Sequence, residues 1–141
     1  MSLIKPDELK HISEEIEMAK AREALEKKRK VEHERDEFRE MFMHRDIHPD
    51  VFDRVSRLVK GAAERGQREV MAFQFPSAYC TDRGRAINNY EPEWPDTLTG
   101  FAKKAYEFYE KELEPAGYKL RAEVIDYPGG MPGDVGIFLR W

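Results

Sequence analysis

Between Tyr118 and Trp141 the chain alternates apolar and polar residues on either side of a loop rich in proline and glycine, and few folds accommodate that pattern. Tyr118, Leu120, Ala122 and Val124 fall on one side of the first run, and Lys119, Arg121 and Glu123 on the other. Val135, Ile137, Leu139 and Trp141 share one side of the second. A period of two keeps every second side chain on one face, so the segment predicts a half-buried antiparallel hairpin from which a sheet grows. Its connection, Tyr127-Pro128-Gly129-Gly130-Met131-Pro132-Gly133-Asp134, exceeds a two-residue hairpin turn. It reads as a wide, rigid turn whose backbone amides a ligand can approach.

The amino-terminal third has the opposite character. From Pro6 to His44 it contains no glycine and no internal proline, and good helix formers dominate. Pro6 suits a first helical turn, and Asp7 and Glu8 suit its positive end. A continuous helix over this span is roughly 57 Å long at about 1.5 Å per residue, too long for the remaining chain to cover. Leu9, Ile12, Ile16 and Ala19 keep a three-four spacing that Val31, Phe38 and Phe42 resume. Between Glu26 and Glu37, however, ten of twelve residues are charged. Glu23 with Lys27 and Glu26 with Lys30 are four apart in the favourable order, so this middle segment reads as a solvated, ion-paired rod. A heptad reading puts Ala24, Val31 and Phe38 at one core position but Lys28 and Arg35 at the other, which makes a thin coiled-coil seam. The Lys27-Lys28-Arg29-Lys30 run is ringed by Glu23, Glu26, Glu32 and Glu34, so it reads as a solvated face rather than a nucleic-acid patch.

After this arm, Val51, Phe52, Val55, Leu58, Val59 and Ala62 form an apolar stripe on a second helix running from Pro49 to about Glu64, with Gly66 placed to end it. Arg68 to Phe75 reads as a strand with apolar residues on both faces, expected inside the sheet. From about Pro95 to Glu114 a further helix carries Leu98, Ala102, Ala105, Tyr109 and Leu113, widened by Phe101, Tyr106 and Phe108. That is more aromatic surface than a three-stranded sheet covers alone. The order helix-helix-strand-helix-strand-strand gives an α+β fold: a small mixed three-stranded sheet with packed helices and a long N-terminal helical arm. The helical crossover between the first two strands sets them parallel. The expected division is an arm over residues 1–46, serving oligomerisation, and one α+β domain over 47–141.

Functional signals are weaker than architectural ones. Within the 77–89 stretch Thr81, Arg83, Arg85, Asn88 and Asn89 offer short polar groups, with Thr81 or Asp82 placed to cap a short helix. With Gly129, Gly130 and Asp134 of the 128–134 loop they make up a candidate small-ligand or anion site, since both segments fall at strand ends. The competing reading is that these residues tie down an irregular connection. Glu40, His44 and His48 are spaced four apart, but Pro49 disfavours helix through His48, so no metal site is assigned. Cys80 is the only thiol, and the four histidines lie at or before position 48, so no catalytic residues and no cofactor are assigned.

A net charge of -4 argues against coating nucleic acid or an anionic membrane. A lone cysteine, no apolar run near 18 residues and no signal-peptide pattern point to the cytoplasm. With 37% charged residues and a mean hydropathy of -0.77, part of the chain must be mostly solvated. The sheet edge and the arm make a homodimer the economical way to bury what is left over. The expected function is therefore a non-enzymatic homodimeric interaction or regulatory module, open to a further protein partner. The alternative is the small-ligand domain, enzymatic or not.

Overall fold

The computed structural model describes residues 2–141, which form two compact units, one ending at Glu40 and the other running from Met41 to Trp141. Helix α1 spans Pro6–His44, and its last turn belongs to the second unit. Every described residue of the first unit is exposed. Pro6 opens the helix, and Asp7 and Glu8 occupy its first turn, where free amides favour negative charge.

The second unit contains α2 (Val51–Glu64), β1 (Glu69–Pro76), α3 (Arg85–Asn88), α4 (Gly100–Phe108), β2 (Lys119–Val124) and β3 (Asp134–Arg140). It is α+β, as the pattern predicts. Helix α2 ends as its sequence requires: the Gly66 amide donates to Ala63 O and the Gln67 amide to Ala62 O, with Gly66 at φ 78°. This closure needs a left-handed residue, which glycine provides without steric cost. Helix α4 widens after Phe108 into one π-helical turn, Tyr109–Leu113, and then tightens over Glu114–Ala116.

The sheet has the order β1-β3-β2, and both hydrogen-bonded pairs are antiparallel. The expected mixed sheet is therefore corrected in its pairing. The first and second strands do share a direction, but the hairpin returns β3 between them, so the crossover skips one position instead of making a parallel pair. The strand expected inside the sheet, β1, is an edge strand with only Phe75 buried, and Met71, Ala72 and Gln74 are exposed. The central strand is β3, whose Val135, Gly136, Ile137 and Leu139 are buried.

The hairpin register is the one that alternation dictates, with Leu120 opposite Leu139, Ala122 opposite Ile137 and Val124 opposite Val135. On that face lies the core, built from Phe42, Phe75, Cys80, Ile87, Leu98, Ala102, Val124, Val135 and Ile137. Phe42 anchors the last turn of α1 in it, with ring centroids 5.4 Å from Phe75 and 5.0 Å from Tyr79. The close approach there needs Gly100, at φ 53°, because a Cβ on it would lie 2.8 Å from Met43 Cα and 2.9 Å from Phe42 O. The opposite face is polar. Arg121 on β2 reaches across β3 to Glu69 on β1 with a two-point ion pair of 2.5 and 2.7 Å, and it also bonds Glu123 at 2.6 Å. Its guanidinium lies 4.2 Å from the centre of the Phe138 ring, so one side chain ties both edge strands over the central one.

Candidate functional site

The structure joins the two loops that the sequence singles out, through hydrogen bonds between them. The Ser77 amide donates to Gly133 O at 2.9 Å, and Ser77 Oγ donates to Pro132 O at 3.0 Å. The Tyr127 hydroxyl donates to Asn88 Oδ1 at 2.7 Å. Asp82 caps α3, taking the Gly84 amide at 3.0 Å and the Ala86 amide at 2.8 Å on its two carboxylate oxygens. Asp126 Oδ1 accepts the Asp134 amide at 2.6 Å and so sets the base of the hairpin loop. Gly129 and Gly130 have φ of 63° and 80°, which the turn needs, and a Cβ on either would meet open space. Thr81, Arg83, Arg85 and Asn89 are exposed, whereas Asn88 and Asp134 are partly buried. In this arrangement Ser77 and Asn88 tie the two loops to each other, Asp82 and Asp126 brace each loop internally, and the arginines are exposed.

Cys80 is buried, and burial pushes its thiol up to about 11, so it is protonated at neutral pH. Helix α1 stops at His44, so His48 is out of helical register with Glu40 and His44. Its Nδ1 instead accepts the Asp50 amide at 3.0 Å. Among the described residues no group of three or more histidine, cysteine, aspartate or glutamate side chains could hold a metal ion.

A feature with no counterpart in the sequence reading lies under α2. Ala62 is fully buried, but Val51, Val55 and Leu58 are only half-buried, because the helix rests on β1 and α4 without closing on them. Between them is a cavity of about 240 Å³. Its walls are Val55 and Leu58 of α2, Phe101, Ala105 and Phe108 of α4, and Ile137 and Leu139 of the sheet. Two backbone irregularities line it. The register of β1 slips between Met71 and Phe73, which turns Ala72 as well as Phe73 toward the cavity. The π-helical turn after α4 presents Tyr109 and Leu113.

The polar groups on the cavity wall include Arg45, His48 and Arg54, and no carboxylate is among the lining side chains. Arg45 is held with its guanidinium 4.4 Å from the centre of the Phe101 ring. The neighbouring Asp46 is already paired, 2.6 Å from Lys104 Nζ, and that contact holds its carboxyl below the ordinary range. The surplus of aromatic residues on the fourth helix is the sequence signal for this cavity, since the sheet does not cover them all.

Comparison with known proteins finds no matching family model, no matching curated protein and no matching solved structure. Among the described residues no helix is long and apolar enough to cross a membrane.

Proposed function

We propose that this chain is a non-enzymatic module that assembles as a homodimer through its N-terminal helix. One observation carries the reading: no described residue up to Glu40 is buried, although that segment carries a set of large apolar side chains. Leu9, Ile12, Ile16, Val31 and Phe38 are 45–52% exposed. At 100° per residue they fall within an arc of about 100° on one side of the helix, while Met18 and Leu25 fall on the other. A stripe of that width is the size that a second helix covers.

Its spacing is self-complementary. Leu9 and Phe38 are as far from the point between Glu23 and Ala24 as each other, and so are Ile16 and Val31 about the same point. An antiparallel second copy therefore sets Leu9 against Phe38 and Ile16 against Val31 in two apolar layers, one on either side of a charged middle. Apolar contact at the two ends supplies the association.

The test is the solution mass, by light scattering, of the full chain and of residues 41–141, which keep Phe42 in the core. A dimer for the first and a monomer for the second is the expected result. A monomeric full chain sinks the reading. If the dimer forms, a chain carrying Ile16→Cys mixed with one carrying Val31→Cys gives a cross-linked pair on oxidation in the antiparallel register, and neither variant does so with itself.

A further inference from the structure

The cavity under α2 is a concave apolar space whose charged lining residues are all basic. We infer that it binds an amphipathic organic anion, with an aliphatic body held between α2 and α4 and a carboxylate at Arg45 and Arg54. This inference stands apart from the homodimer, since every residue that it uses lies in the second unit.

Size comes first. An apolar cavity of about 150 Å³ takes up one benzene, or about 25 Å³ per carbon. At that density a cavity of about 240 Å³ holds a body of about ten carbons. The walls then choose the chemistry: Val55, Leu58, Ala105, Phe108, Ile137 and Leu139 present no hydrogen-bonding side-chain group, and of the two lining tyrosines Tyr109 already donates its hydroxyl to Tyr118 O at 2.9 Å, so the enclosed part of the ligand is mainly hydrocarbon.

The rim chooses the charge. Arg45 and Arg54 are lining residues, His48 is the third basic group there, and no lining residue is acidic. Of the carboxylates next to these arginines in sequence, Asp46 pairs with Lys104 at 2.6 Å, and Asp53 is not among the lining residues. Arg45 is positioned by its ring contact with Phe101, itself a wall of the cavity, which reduces the ordering cost of gripping an anion. A carboxylate matches the planar guanidinium with two parallel hydrogen bonds, and an ammonium head group meets repulsion there. The slipped register at Ala72 and the π-helical turn at Tyr109–Leu113 both line the space, and such departures from regular geometry concentrate at binding sites.

The experiment is isothermal titration of the full chain with sodium decanoate and, separately, with nonyltrimethylammonium, which has the same alkyl chain and the opposite charge. Decanoate is expected to bind one per chain, and the cation at least tenfold more weakly. Ala105→Trp fills the cavity and abolishes decanoate binding. The double variant Arg45→Gln with Arg54→Gln weakens decanoate at least tenfold and, by relieving the repulsion, tightens binding of the cation, and because both side chains are exposed it decides the matter even where Ala105→Trp does not fold. Absence of decanoate binding at millimolar concentration overturns the inference. So does equal binding of the two head groups, or binding that survives both variants.

Discussion

The two units of this chain bury apolar side chains to opposite extents. In the second, Phe75, Ile87, Val135 and Ile137 are at most 2% exposed, whereas in the first the least covered of the large apolar residues and the most covered alike stay near half exposure or above. Yet from Pro6 onward the first unit is a continuous helix. Its backbone bonds close locally, residue to residue four along, so the helix forms without any long-range contact. Sheet pairing has no such local closure, because Glu69 faces Arg140 and Val124 faces Val135 only once distant segments meet. The contrast teaches that one unit's structure comes from propensity and charge spacing, and the other's from burial.

Substitutions at four depths test that contrast, and the largest effect belongs to the core. Phe75→Ala should cost about 3–5 kcal/mol, the usual loss for a fully buried phenylalanine, seen as a lowered urea midpoint. An effect below about 1 kcal/mol would contradict a closely packed core around β1 and α4. Next is Gly100→Ala, expected to cost about 2–3 kcal/mol because the added Cβ presses on backbone atoms of Phe42 and Met43 at a positive φ. Thermal melts of the two chains in parallel measure it.

A smaller change is expected on the polar face of the sheet. Arg121→Ala removes the ion pair with Glu69, and with these side chains 43% and 29% exposed the loss should be about 1 kcal/mol at most. Its pH dependence has a definite sign. Hydrogen bonding from Arg121 holds the Glu69 carboxyl below its ordinary value of 4.5. The stabilisation is therefore complete above pH 4.5 and is lost as pH falls through the lowered folded value. Urea titrations of the parent and Arg121→Ala should converge once the pH has fallen below that lowered value, and parallel curves there would refute the pair as their cause.

The smallest stability effect is predicted for the first unit. Val31→Glu should shift the urea midpoint of the second unit by less than about 0.5 kcal/mol, while converting the proposed dimer to a monomer by light scattering. A destabilised core would erase the contrast drawn above; a dimer that persists would remove Val31 from the interface.

Much of the fold was readable because its signals are local. The glycine-free run ending near His44, the stripe and closing Gly66 of the second helix, and the alternation of the hairpin each reappear in the structure within a few residues. The strand at Glu69–Pro76 was misplaced for a physical reason. Apolar residues on both faces indicate burial on both sides, but here Met71 and Ala72 owe their orientation to a register slip, not to a second layer. The capping of the short helix by Asp82 was legible as one of two candidates, since a short carboxylate ahead of free amides has few other uses there. The closing bonds of Ser77 and Tyr127 were not legible, because their partners, Pro132, Gly133 and Asn88, are 39 or more residues away.

Local patterning was enough to mark the long charged helix, the stripe of α2 and the two faces of the hairpin within an α+β fold, because periodicity and capping act over one or two turns of chain. Strand order, the edge position of β1, the link of Arg121 across the central strand and the cavity under α2 were decided only by tertiary structure. Each depends on how far apart two surfaces come to rest once the backbone has closed around them. That distance is set by the fit of side chains from remote segments, and in this domain the fit leaves α2 half-seated over about 240 Å³ of apolar space.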